Sequence, residues 1–211
     1  MHRRLLATLG LFALLFATDL GKAMAAPVRI LAFGDSLTAG YGLPENDGFV
    51  PQLQQALQQM GRDVTVINGG LSGDTTAGGL SRLDWMLGDK PDLVIVELGA
   101  NDMLRGLDPG QAKANLDSII QRIKASGAKV LLAGMLSGRN MGADYQSKFD
   151  AIYPSLAQEH EVALYPFFLD GVAARPELNQ QDGLHPTKEG VAVIVGKILP
   201  FLTRVLDAPA T

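Results

Sequence analysis

The sequence predicts an α/β fold: a three-layer sandwich in which one five-stranded parallel sheet is covered by helices on both faces. Two observations lead to it. Short β-branched or apolar runs alternate along the chain with longer stretches of helical period, the pattern of a strand followed by a helix that carries the chain back for the next parallel strand. The turn and cap residues fall between these runs, where such units begin and end.

Strands are expected at Val28–Phe33, Val64–Asn68, Leu93–Leu98, Lys129–Ala133 and Ala163–Pro166. Helices are expected near Phe49–Met60, Ala77–Leu87, Gln111–Ala125 and Asp144–His160, with a last one running from about Lys188 towards Leu206. Asp108 can cap its helix with Pro109 in the first turn, Thr187 can cap the last, and Gly61 and Gly127 can end helices. Pro200 should kink or split the last helix, because it has no N–H and its ring crowds the carbonyl four residues back. Trp85 and Met86 sit on a leucine-bearing helix and are expected in the core.

The N-terminal segment has the pattern of an export signal. His2-Arg-Arg is followed by an apolar stretch from Leu5 to Phe16, and Ala23-Met-Ala25 supplies small residues at a cleavage site. The apolar stretch stops near Asp19 and Lys22, short of the roughly 20 residues of a spanning helix. Residues 1–25 are therefore expected to be removed, with no stable membrane anchor, and residues 26–211 to form one domain in the periplasm or outside the cell. That leaves about 185 residues, enough for one proper core. The formal charge of −4 becomes about −6 once the leader is gone, and no basic run offers a nucleic-acid surface. With no cysteine in the chain, disulfides, thiolate metal sites and a cysteine nucleophile are excluded.

In open parallel sheets ligands bind beyond the carboxyl ends of the strands, and the chemistry-bearing residues here follow strands. Gly34-Asp-Ser-Leu37 follows the first, Gly69-Gly-Leu-Ser-Gly-Asp74 the second and Gly99-Ala-Asn-Asp102 the third. Asp182-Gly-Leu-His185 precedes the last helix and can return to the same edge. A serine hydroxyl needs a base to take its proton as it attacks. The sequence holds three histidines: His2 in the leader, His160 at a helix end between Glu159 and Glu161, and His185. Elimination selects His185, and Asp182 is close enough to hold one imidazole nitrogen while the other faces Ser36. Three donors converge for an oxyanion: the N–H groups of Ser36 and Gly73 and the side-chain amide of Asn101. Each motif alone also reads as an ordinary turn or helix cap. It is their coincidence at one sheet edge that points to catalysis.

These blocks resemble those of the SGNH or GDSL hydrolases, which contribute a serine, a glycine, an asparagine and a histidine, here Ser36, Gly73, Asn101 and His185. The resemblance runs from about Ile30 through His185 and is greatest to an exported bacterial subgroup of arylesterases and multifunctional thioesterases and lysophospholipases. It implies a flavodoxin-like sheet, no metal, no cofactor, and hydrolysis of small-molecule acyl esters and thioesters through an acyl-serine. The family pattern is broken at Ala100, which replaces a frequent glycine. Leu104, Leu107 and Met141 are expected to line the acyl pocket, Met141 because a flexible thioether suits varied chains. Arg105, after the Asn101 loop, is expected to be solvated, and the chain to be a monomer.

Other readings compete. An α/β-hydrolase elbow would need Gly-x-Ser-x-Gly in mid-chain, and a Walker loop would need Gly-Lys-Ser/Thr. A metal site from Asp35, Asp102, Asp182 and His185 would rest on one histidine among scattered carboxylates. The same triad with a more polar pocket would make a carbohydrate O-deacetylase, and loss of catalysis would leave an acyl-binding protein.

Overall fold

A computed structural model describes residues 26–209; the expected export segment lies outside them. The elements follow in the order β1 (Val28–Gly34), α1 (Ser36–Ala39), α2 (Phe49–Gln59), β2 (Val64–Gly70), α3 (Thr76–Leu87), β3 (Leu93–Glu97), α4 (Ala100–Leu104), α5 (Pro109–Ala125), β4 (Lys129–Ala133), α6 (Ala143–Asp150), α7 (Ile152–His160), β5 (Ala163–Tyr165) and α8 (Lys188–Asp207). All ladders are parallel, and the strand order is β2-β1-β3-β4-β5. This is the flavodoxin-like doubly wound arrangement, whose order reverses between β1 and β3.

The helices form two outer layers. On one face α2 packs against α8, and α8 reaches β4 and β5; on the other α5 packs against α3, α7 and β4. Strands covered on both sides should be near-continuously apolar. β3 (Leu-Val-Ile-Val-Glu) is buried along its whole length, and Ile30 to Phe33 of β1 are no more than 1% exposed.

The caps form as expected. The Asp108 carboxylate accepts the Gly110 N–H and the Thr187 hydroxyl that of Gly190, while Gly61 and Gly127 follow helix ends with left-handed backbones. Three expectations need correction. The helix expected over Asp144–His160 is two, parted at Ala151. Pro154 accounts for the break: it cannot donate to the Asp150 carbonyl, and its ring displaces it. α8, in contrast, continues unsplit past Pro200, because Gly196 and Pro200 lie on its exposed face, where solvent can satisfy the freed carbonyl. Trp85 is 82% exposed rather than buried. The inner face of α3 is set by Thr76, Gly79, Leu83 and Met86, and Trp85, two residues beyond Leu83, projects about 200° away from it. No helix among the described residues is long and apolar enough to cross a membrane.

Candidate active site

β1 ends at Gly34, and the Asp35 carboxylate caps the short helix α1 by accepting the Leu37 N–H at 3.0 Å. Ser36 is the first residue of α1, where a backbone N–H has no intrahelical partner. Its hydroxyl lies 2.9 Å from His185 Nε2, and His185 Nδ1 lies 2.6 Å from Asp182 Oδ2. Asp182 Oδ1 also accepts the backbone N–H groups of Leu184 and His185. These bonds to the His185 backbone and ring hold the Asp182 carboxyl down at about 2, so it is a carboxylate whenever the imidazole works as a base. A carboxylate on Nδ1 keeps the proton there and leaves Nε2 as the acceptor facing the serine.

The loop bearing His185 is closed on itself. Asn179 and Pro186 form an antiparallel bridge, and the Gln180 N–H donates to the His185 carbonyl at 2.7 Å. The Gln180 side chain donates to the carbonyls of Pro186 and Tyr41, tying the histidine loop to the segment after Ser36. The Tyr41 ring lies against the imidazole, with centroids 4.6 Å apart. Gln180 gave no signal in the sequence, since a lone glutamine in a polar loop marks nothing.

Gly73 follows β2 with φ +83°, a backbone that only glycine adopts freely. Its N–H is given to no other group among the described residues, and its carbonyl accepts from Arg105 Nη2 at 2.7 Å. Arg105, expected to be only solvated, is exposed but also anchors this loop. Asn101, in the first turn of α4, donates one amide N–H to Asp35 Oδ2 at 3.0 Å and has a second to spare. The next residue, Asp102, is buried and accepts both the N–H and the hydroxyl of Thr76, joining the β3 and β2 loops. Of the residues weighed for a metal, then, Asp35 and Asp102 are engaged by protein donors, and Asp182 with His185 faces Ser36.

Under the serine turn lies Glu97, which the sequence reading did not single out although it is a charged residue inside an apolar strand. It sits beside Gly34 in the β1–β3 ladder, is fully buried, and accepts the Thr38 hydroxyl at 2.8 Å and the Asp35 N–H at 3.3 Å. A Cβ on Gly34 would come within 2.5 Å of the Glu97 carboxyl, so glycine is required there for close approach. Leu104 and Leu107 are exposed, and Met141 approaches their loop at Gly106. With Tyr41, Leu71, Leu136 and Leu184, all exposed, they surround the carboxyl ends of the strands with apolar side chains.

A strand-tip serine facing a carboxylate-held imidazole, on a doubly wound parallel sheet, is the constitution of an α/β serine hydrolase. The particular kind is settled by likeness: residues 32–193 match the GDSL-like lipase/acylhydrolase family, and the chain belongs to it. It is 46% identical to an arylesterase of Vibrio mimicus, over 85% of this chain and 90% of that one. It is 41% identical to esterase TesA of Pseudomonas aeruginosa, over 96% of this chain and all of that one. It is 40% identical to thioesterase 1/protease 1/lysophospholipase L1 of Escherichia coli K12, over 83% of each. The crystal structure of TesA superposes with a TM-score of 0.81 at 42% identity, covering 84% of this chain and 99% of that one. The chain is a carboxylic ester hydrolase of the GDSL serine-hydrolase type.

Proposed function

We propose that Ser36, His185 and Asp182 are the catalytic triad, with the N–H groups of Ser36 and Gly73 and the Asn101 amide as oxyanion donors. The observation that carries this is the continuous hydrogen-bonded chain from Ser36 Oγ through the imidazole to Asp182, with steps of 2.9 and 2.6 Å. Ser36 Oγ attacks the acyl carbonyl carbon as its proton passes to His185 Nε2, and the three donors take up the negative charge formed on oxygen. The tetrahedral intermediate collapses, the C–O or C–S bond breaks, and His185 returns the proton to the leaving alcohol or thiol. Water then attacks the acyl-serine, His185 again accepts and returns a proton, and the free acid departs.

Leu104, Leu107 and Met141 belong to the acyl site in this reading, and the apolar rim favours acyl chains over the sugar of an O-deacetylase. The tripartite leader supports export with cleavage after Ala25, and the protein works as a monomer on small-molecule substrates. Ser36→Ala and His185→Ala are expected to abolish hydrolysis of p-nitrophenyl butyrate. Asn101→Ala should lower kcat by about 10²–10³, the loss typical of one oxyanion donor. An active Ser36→Ala enzyme would overturn the assignment. A panel of p-nitrophenyl esters and acyl thioesters from acetyl to palmitoyl sets the substrate range, and a covalent fluorophosphonate label confined to Ser36 separates an enzyme from an acyl-binding protein.

A further inference from the structure

Two of the three oxyanion donors are backbone N–H groups on different loops, Ser36 after β1 and Gly73 after β2. Their spacing is therefore a property of how the two strand ends are held together. Arg82, on α3, lies across that junction. Its Nη2 donates to the Gly34 carbonyl at 2.9 Å, its Nη1 to the Gly69 carbonyl at 2.9 Å, and its Nε to Asp74 Oδ2 at 2.7 Å. Gly34 O belongs to the peptide leading into Asp35 and Ser36; Gly69 is in the last residues of β2; Asp74 directly follows Gly73. The guanidinium also lies over the Phe33 ring, 4.3 Å from its centre, and the side chain is 19% exposed.

We infer that Arg82 is a positioning residue for the hydrolytic reaction, fixing the serine turn and the Gly73 loop at the separation that lets both N–H groups meet one oxygen. The inference rests on the oxyanion roles proposed above. A guanidinium suits the task because its donors stand in a rigid planar fork, so three acceptors on the two strand ends are held at fixed spacing. The Leu71 N–H fills the other side of the Gly34 carbonyl at 3.0 Å, completing the tie between the two strands. An ammonium on a flexible stem would keep the charge and lose this geometry.

The test compares Arg82→Lys with the parent at saturating p-nitrophenyl acetate, butyrate and octanoate, with kcat expressed per site titrated by a fluorophosphonate. The expected result is a loss in kcat of about 10- to 100-fold, as for a misplacement on the scale of 1 Å, with KM little changed. The factor should be the same for all three esters, because the oxyanion is common to them. Asp74→Asn, which leaves the arginine on its two carbonyls, should lose about tenfold for the same reason and serves if Arg82→Lys does not fold. A kcat per titrated site within about twofold of the parent in a folded variant overturns the role, as does a loss that changes with acyl length, which would mark a pocket residue. Ser36→Ala run in parallel separates the two readings. If it is dead while Arg82→Lys is normal, only the role of Arg82 falls. If it is active, the site assignment falls and this inference with it.

Discussion

Asp35 and Glu97 are both fully enclosed, and among the described residues no lysine or arginine forms an ion pair with either; Arg82 is spent on Asp74 and two carbonyls. Burial pushes the Asp35 carboxyl up to about 6. Burial, and then the neighbouring Asp35, raise Glu97 well above the ordinary range. One Glu97 oxygen has no hydrogen-bond partner among the described residues, as suits a carboxyl that stays neutral. The folded chain thus keeps protons that the unfolded chain releases above about pH 4, so this pair lowers stability as the pH rises through about 4 to 6 and beyond. Glu97→Gln removes the larger share of that dependence. Its melting temperature relative to the parent should therefore climb from about pH 5 to about pH 8, a trend that thermal unfolding at several pH values reads directly. A flat difference would mean Glu97 ionises in place. Asp182 has the opposite sign: its carboxyl is held down at about 2, so what it adds to stability is lost only as the pH falls towards that value. Side-chain exposure of 38% keeps that contribution small.

At the scale of elements, α3 shows how one turn of a helix separates roles. Met86 is 6% exposed against the core, Trp85 beside it is 82% exposed, and Arg82 spans the site. Trp85→Gln should leave the unfolding free energy within about 0.5 kcal/mol of the parent. Met86→Ala should cost about 2–5 kcal/mol; denaturant melts of the two variants check both. Hydrophobic residues were legible as belonging to α3, but a tryptophan's size biases a reading towards burial, whereas its angular place on the helix decides the outcome. Pro154 marks the split between α6 and α7 in the sequence, but the apolar period continues across it and masks the break. Arg82 could not be singled out, since most arginines on helices face water.

Across the whole molecule, the order β2-β1-β3-β4-β5 brings four loops far apart in the chain to one edge, with Ser36 and His185 meeting across 149 residues. The described residues contain a continuous core and all the proposed catalytic groups. A chain begun at Ala26 should therefore match the full chain in kcat/KM and melting temperature. The cleavage proposed after Ala25 is checked by N-terminal sequencing of the protein purified from its native host, which should begin at Ala26; retention of Met1 would overturn it. By itself the sequence determined the fold class, the five strands to within two residues at each end, and the residues Ser36, Gly73, Asn101, Asp182 and His185 that the structure gathers at one sheet edge. Apolar periodicity and scarce residue types are written locally in the chain. Tertiary structure alone decided that Arg82 bridges two strand ends, that Gln180 ties the histidine loop to Tyr41, and that Glu97 lies under the serine turn. Those roles arise from side chains meeting across strands and loops, and no spacing along a single chain encodes such a meeting.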